Sequence, residues 1–189
     1  MSKIILEITM SLDGFVAGPN ISIENPLGEG GERLHDWLFS AKTSVDDAVL
    51  AAVHDNAGAV VVGGRTYAIA IDDAWEGKTP FDIPAFVDTY ALPNTEKEGF
   101  TYITTGLEDT IAQAKKTAGE KDIWVMGGGS TVAACIENGW YDEIYLHVAP
   151  VLLKQGLYLF DHLSDQRVEF KNLGASQSPQ ATHIVLGKI

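Results

Sequence analysis

The chain has 189 residues, 46% of them hydrophobic, and carries 13 Lys and Arg against 26 Asp and Glu, a formal net charge of −13. That length fits one domain able to bury about 70% of its unfolded surface, and the composition is that of a folded protein rather than a disordered one. A surface this acidic repels phosphate backbones and anionic lipid heads, which excludes nucleic acid and membrane surfaces as partners and requires a local trap for any anionic ligand.

Lys3 to Met10 (KIILEITM) is short, apolar and β-branched, the pattern of a buried strand. Ser11 to Gly31 is rich in Gly, Pro and Asn and reads as a long loop, a length usually reserved for function. In Glu32 to Phe39, Leu34, Trp37 and Leu38 share a helical face. Ser44 to Asp55 reads as a helix with Ser44 as N-cap and Asp47 at its third position. Ala59 to Val62 is a buried strand closed by Gly63-Gly64, with a short helix from Arg65. Asp72 to Pro84 is polar loop. Phe86 to Tyr90 and Phe100 to Thr104 are strands, and Leu107 to Ala118 is a helix. Asp122 to Met126 is a buried strand ending in glycines, followed by a helix over Val132 to Asn138. Tyr141 to Ala149 alternates as a strand. Val168 to Ser176 and Thr182 to Lys188 form a terminal hairpin turning at Ser178-Pro179. This alternation, closed by a run of strands, predicts one α/β domain with a mostly parallel sheet, helices on both faces and an antiparallel C-terminal end.

Cys135 is the one cysteine, so no intrachain disulfide forms, which fits a reducing compartment. No apolar run approaches eighteen residues, and the first residues lack a secretory pattern, so a cytoplasmic location is expected. His54, His147, His162 and His183 are scattered with no metal-ligand spacing, and no metal is expected.

Three segments carry chemistry. In DIWVMGGGST a buried strand meets Gly127, Gly128 and Gly129, and a helix begins with Ser130 and Thr131. Glycines admit close approach to the main chain, and the free amides and dipole of a helix start favour a negative group. A pyrophosphate cradle and an unliganded tight turn both fit the segment. It is not a P-loop, because no lysine stands beside the turn. It is not a Rossmann fingerprint either, because position 132 is Val and no acidic residue follows at the required distance. In VVVGGRTY a second strand reaches Gly63 and Gly64, then Arg65 and Thr66; a guanidinium there suits a phosphate by charge and by forked hydrogen bonding. Thr89, ending FVDTY, adds a hydroxyl at the same edge. In MSLDGFVAG, Asp13-Gly14 turns the chain; a plain Asp-Gly turn fits the segment, and so does a site with Asp13 and the backbone of Phe15 to Ala17 at its mouth.

The succession ITMSLDGFVAG, VVVGGRTY, FVDTY, DIWVMGGGST, YDEIYLHVAPVLL and LYLF, from about Lys3 to Phe160, resembles the RibD C-terminal family of the dihydrofolate-reductase-like superfamily, and its small stand-alone bacterial members most. The resemblance implies a sheet of about eight strands, NADPH as hydride donor and a homodimer. NADH is the second cofactor candidate and FMN the third. It implies cofactor contacts from Ala17, Gly63, Gly64, Arg65, Thr66, Thr89, Gly127, Gly128, Gly129, Ser130 and Thr131. On the substrate side it implies Thr9, Ser11, Asp13, Phe15 and Trp37. In dihydrofolate reductases the two glycines matching Gly127 and Gly128 are joined by a cis peptide. Two departures stand out. Gly64 replaces the motif's first arginine, leaving Arg65 to meet a ribose 2′-phosphate. Lys154-Gln155 replaces a Gly-Gly pair, so a riboflavin-pathway substrate does not simply carry over.

Hydride transfer needs alignment more than a reactive side chain, but an imine or carbonyl substrate also needs a proton donor. Asp13 and Asp47 are the candidates, with His35 behind them; a helix N-terminal acid of the Asp47 kind also serves the helix dipole alone. His35 otherwise reads as a helix-surface residue and Trp37 as core or pocket wall. The expected function is an NADPH-dependent reductase of a small heterocyclic or carbonyl/imine substrate, akin to dihydrofolate reductase or 5-amino-6-(5-phosphoribosylamino)uracil reductase. A non-catalytic nucleotide-binding protein and a flavin-binding reductase are the alternatives.

Overall fold

The computed structural model describes residues 2–161, 163–165 and 167–189; His162 lies outside them. The strands are β1 (Ile4–Ser11), β2 (Phe15–Ala17), β3 (Ala57–Gly63), β4 (Ala85–Asp88), β5 (Phe100–Ile103), β6 (Asp122–Met126), β7 (Glu143–Ala149), β8 (Leu157–Tyr158), β9 (Phe170–Gln177) and β10 (Thr182–Lys188). The helices are α1 (Asp36–Phe39), entered through a 3-10 turn at Gly31–His35, α2 (Ser44–His54), α3 (Gly64–Ala70), α4 (Leu107–Ala118) and α5 (Gly129–Asn138). Eight strands form one sheet in the order β5-β4-β3-β6-β1-β7-β10-β9. The first six are mutually parallel, and β10 runs against both β7 and β9. The predicted class therefore holds.

β1 shows why the sheet has two unlike faces. Ile4, Leu6 and Ile8 point into a core shared with Ile111 and Ala114 of α4 and Val132, Cys135 and Ile136 of α5. Ile5, Glu7 and Thr9, alternating with them, point the other way, beneath α2 and the 3-10 turn. The central strands are covered on both sides, so they read as unbroken apolar runs: Val60, Val61 and Val62 are all fully buried. A second cluster packs Tyr67 and Ile71 of α3 on Val60, Val62 and Val87.

Some boundaries move. α5 begins at Gly129, three residues before the sequence reading, and α3 begins at Gly64. The long loop after β1 contains β2, which pairs with β8: Phe15 opposite Tyr158 and Ala17 opposite Leu157. Two-residue and three-residue strands carry no readable alternation. The N-cap of α2 is Thr43, not Ser44. Both the amide and the hydroxyl of Thr43 donate to Asp46 Oδ2 at 2.7 Å, so Asp46, not Asp47, takes the third helical position. Asp46 is fully buried, whereas Asp47 is exposed and pairs with Lys42 at 2.8 Å. Among the described residues no helix is long and apolar enough to cross a membrane.

Candidate functional site

The register levels the ends of the parallel strands. Gly63 lies opposite Asp88, and Val62 opposite Met126, so the two glycine corners emerge side by side at the carboxyl edge. They are in contact. A Cβ on Gly63 would run into Thr131 Oγ1, and one on Gly128 would lie 2.9 Å from Thr66 Oγ1. A Cβ on Gly64 would lie 2.8 Å from the carbonyl of Asp88. Each corner is thus shaped around the hydroxyl or strand end of the other, which is why these positions need glycine.

Between the corners opens a cleft of about 380 Å³ lined by Gly63, Gly64, Arg65, Thr66, Thr89, Gly128, Ser130 and Thr131, with Asp88, Tyr90 and Ala91 completing the wall. Eight residues assigned to the cofactor from sequence line this cleft. Arg65 is exposed, and among the described residues no carboxylate pairs with it. The first turn of α5 aims its amides at the same edge. Thr89 Oγ1 donates to the carbonyl of Ala91 at 3.0 Å, fixing the turn after β4. Asp88 has its carboxyl pushed above the usual carboxylate value by burial, against a pull from Thr110.

The other three assigned residues lie beside the cleft. Gly127 is pressed against β1: a Cβ there would be 2.7 Å from Ile8 Cδ1 and 3.1 Å from the carbonyl of Glu7. Gly129 lies under Val16, whose Cγ2 would be 3.1 Å from an added Cβ, so β2 rests on the head of α5. Ala17 is buried in the β2–β8 pair. No cis peptide occurs among the described residues. Gly127-Gly128 is therefore trans, with Gly128 extended (φ −113, ψ 151) as the N-cap of α5.

Both proton-donor candidates are engaged by other groups in this structure. Asp13 Oδ1 accepts from Ser11 Oγ at 2.6 Å and from the amide of Leu153 at 3.1 Å, while Oδ2 accepts from the amide of Lys154 at 2.8 Å. Desolvation opposes its ionisation, but those hydrogen bonds outweigh it and hold the carboxyl below its usual value. Asp13 is a clamp on the loop before β8, where Lys154 takes a left-handed φ of 65°. Ser11 is spent in the same turn, accepting from the amide of Phe15 at 2.9 Å. Asp47 is on the surface, turned away by the one-residue shift of the cap. Phe15 packs on the Tyr158 ring at 5.5 Å, Thr9 is nearly buried, and Trp37 lies in the core.

What the sequence reading missed is a buried polar cluster under α2. His183 Nε2 meets Asp46 Oδ1 at 2.9 Å, and His183 Nδ1 meets His147 Nδ1 at 2.9 Å. His147 Nε2 then meets Glu7 Oε1 at 3.2 Å, and Glu7 Oε2 meets His54 Nε2 at 3.1 Å. Trp37 packs on both inner imidazoles, 4.5 Å from His147 and 5.1 Å from His183, and His54 lies tilted against Trp124 at 4.1 Å. Burial opposes the charge on Glu7, but hydrogen bonds from His147 and His54 hold its carboxyl down at about 2. His35 is not a surface residue: burial, helped by His147, pushes it down to about 4. The buried nitrogens His35 Nδ1, Trp37 Nε1 and Trp124 Nε1 have no partner. The one legible signal was Glu7, a charge in a strand otherwise read as fully buried. No group of His, Cys, Asp and Glu among the described residues has the geometry to hold a metal.

The RibD C-terminal domain model matches residues 2–184. The chain is 26% identical over 186 residues to the uncharacterized protein YwjB of Bacillus subtilis (strain 168), covering 96% of this chain and 95% of that one. A crystal structure of a protein from Shewanella sp. PV-4 assigned to riboflavin biosynthesis superposes with a TM-score of 0.76 at 19% identity, over 99% of both chains. The diaminohydroxyphosphoribosylaminopyrimidine deaminase/5-amino-6-(5-phosphoribosylamino)uracil reductase of Thermotoga maritima superposes with a TM-score of 0.68 at 12% identity, over all of this chain and 57% of that one. The two joined glycine corners, the sheet order and the near-complete family match agree: this chain belongs to the RibD C-terminal domain family.

Proposed function

We propose that the chain is an NADPH-dependent reductase that transfers a hydride to a small heterocyclic, carbonyl or imine substrate. The observation that carries this reading is the contact between the two corners, Gly63 against Thr131 and Gly128 against Thr66, with unpaired Arg65 on the rim. On a chain of net charge −13 a dinucleotide needs a local trap. The residues present fit one: main-chain amides at the α5 start, the hydroxyls of Thr66, Thr89, Ser130 and Thr131, and the Arg65 guanidinium in place of an arginine at position 64. The family and the reductase activity named for the Thermotoga relative support the same class. When bound, the dihydronicotinamide supplies the hydride. The chain's own residues bind the phosphates in the cleft, and β2 resting on the head of α5 shapes the ground beside it.

Lys154 and Gln155 place bulk where the family resemblance implies a Gly-Gly pair, which favours a substrate other than the riboflavin-pathway one. We further propose a homodimer; sedimentation equilibrium should return twice the chain mass. The nucleotide reading is tested by thermal shift with NADPH, NADH and FMN in parallel. A ligand at a hundred times its Kd adds about 2.7 kcal/mol of stability. NADPH should stabilise most, and stabilisation by none of the three would refute the reading. NADPH oxidation with a panel of pteridines, carbonyls and imines then separates an enzyme from a nucleotide-binding protein.

A further inference from the structure

The cluster under α2 has a proton count that its geometry fixes. Along Asp46, His183, His147 and Glu7 run three close contacts: Oδ1 to Nε2, Nδ1 to Nδ1, and Nε2 to Oε1. Carboxylate oxygens and bare imidazole nitrogens bring only lone pairs, so each contact requires one hydrogen between its atoms. Three contacts take three protons. Two carboxylates and two neutral imidazoles supply two. The third is an extra proton, and the count is the same whichever tautomers are drawn. Three protons on these four groups give a net charge of −1. Four would set two N–H groups against each other, and two would leave a pair of lone pairs facing across a contact.

The placement gives this proton a route. Side-chain exposure is 0% at Asp46, 1% at His183 and His147, and 11% at Glu7, but 35% at His54. His54 closes α2 at the amino edge of the sheet, two residues before Asn56, which binds Asp122 at the start of β6. His147 pairs with Thr9 of β1, two residues short of the carboxyl edge where β1 ends. The chain therefore runs along the sheet face from partly exposed His54 to buried His147, two residues below the strand ends. The other titratable groups facing it are His35 from the 3-10 turn and Tyr145 on β7.

We propose that Asp46, His183, His147, Glu7 and His54 form a buried one-proton store, with the extra proton shared by His147 and His183 and exchanged with solvent through His54. In a use that rests on the reductase reading, the store is the proton source for the reduction. Hydride from the dihydronicotinamide forms the new C–H bond, the π bond of the C=N or C=O group breaks, and its electron pair takes the store's proton on N or O. The store refills through His54. These are positioning and proton-supplying residues, since none is placed against a bound substrate.

The store is tested on the free protein by NMR with ¹⁵N-labelled histidine, assigned with His147→Gln and His183→Gln. The expected spectrum has protonated Nε2 on both inner histidines and a single low-field proton coupled to both Nδ1 atoms. Two bare Nδ1 atoms, or two independently protonated ones, would overturn it. His54→Phe keeps a ring on Trp124 but carries no proton, so exchange of the shared proton should slow by about tenfold or more with the backbone spectrum unchanged. Unaltered exchange would refute the conduit. For the catalytic use, Glu7→Gln should lower kcat and move its pH profile for whichever panel acceptor is reduced, with KM for NADPH unchanged. An unchanged kcat would end that use while leaving the reductase reading standing. An enzyme that binds and oxidises no NADPH would end the reading and this use together, and the NMR result would still judge the store.

Discussion

Gly63→Ala is the most direct perturbation of the joined corners. The backbone at Gly63 (φ −68, ψ 141) suits any L residue, so strain in the main chain is not the issue. The added methyl would meet Thr131 Oγ1 inside 3.0 Å, and Thr131 is nearly buried in the first turn of α5. Overpacking of this kind costs about 1–3 kcal/mol, offset by about 0.4–1 kcal/mol from the lost freedom of the unfolded glycine. For a chain of this size each kcal/mol moves Tm by about 2–4 °C. Removing the hydroxyl leaves Thr131 Cβ, at 3.7 Å, as the nearest remaining neighbour, an ordinary contact. Gly63→Ala should therefore lower Tm and abolish most of the NADPH thermal shift. In Gly63→Ala/Thr131→Ala the loss of Tm should be smaller than the sum of the singles, by a coupling of about 1–2 kcal/mol. Calorimetry on the four proteins, with and without NADPH, measures both effects. Additive singles, or a Gly63→Ala protein with wild-type Tm and an intact NADPH shift, would show that the corners do not bear on each other.

Arg65→Gln removes a rim cation with no carboxylate partner among the described residues; charge-assisted hydrogen bonds contribute about 1.5–3 kcal/mol, so Kd for NADPH measured by fluorescence titration should rise about 10- to 100-fold, and NADH less. Stability should fall in acid in two steps. Folded His35 stays neutral down to about 4 while the unfolded residue protonates from 6.5, so its contribution is complete above pH 6.5 and lost between 6.5 and 4. Folded Glu7 ionises at about 2 against 4.5 when unfolded, so its contribution is complete above pH 4.5 and lost between 4.5 and 2. Each shift corresponds to about 3 kcal/mol, so urea midpoints should drop below pH 6.5 and again below 4.5; a flat profile from pH 6.5 to 4 would contradict the burial of His35, and a flat one from 4.5 to 2 the hydrogen bonds of Glu7. Asp13→Asn should loosen the clamp on Leu153 and Lys154, seen as faster proteolysis between β7 and β8, while leaving the NADPH thermal shift in place; loss of that shift would return Asp13 to the site.

The residues that line the cleft were legible because each corner is local. A strand, its glycines and the helix start that follows lie within ten consecutive residues, and parallel strands must all bring their carboxyl ends to one edge. Eight of the assigned residues line the cleft for that reason. The partners of the proton-donor candidates were not legible. Asp13 looked free because its partners, Leu153 and Lys154, are about 140 positions away. Asp46 and Asp47 are neighbours in sequence, and only the choice of Thr43 as N-cap decides which of them is buried.

Composition, strand runs and glycine corners thus determined the fold class, the family resemblance and the edge at which the two glycine corners meet, since these depend on short segments and on the rule that parallel strands end together. Tertiary structure alone decided that Glu7, Asp46, His54, His147 and His183 meet. They come from β1, both ends of α2, β7 and the antiparallel β10, and three of these elements pair side by side in the sheet. A hydrogen-bonded chain drawn from five positions spread over 177 residues has no periodicity and no spacing to read. It exists because β10 turns back against β7 and sets His183 beside His147, while the cap of α2 turns Asp46 inward.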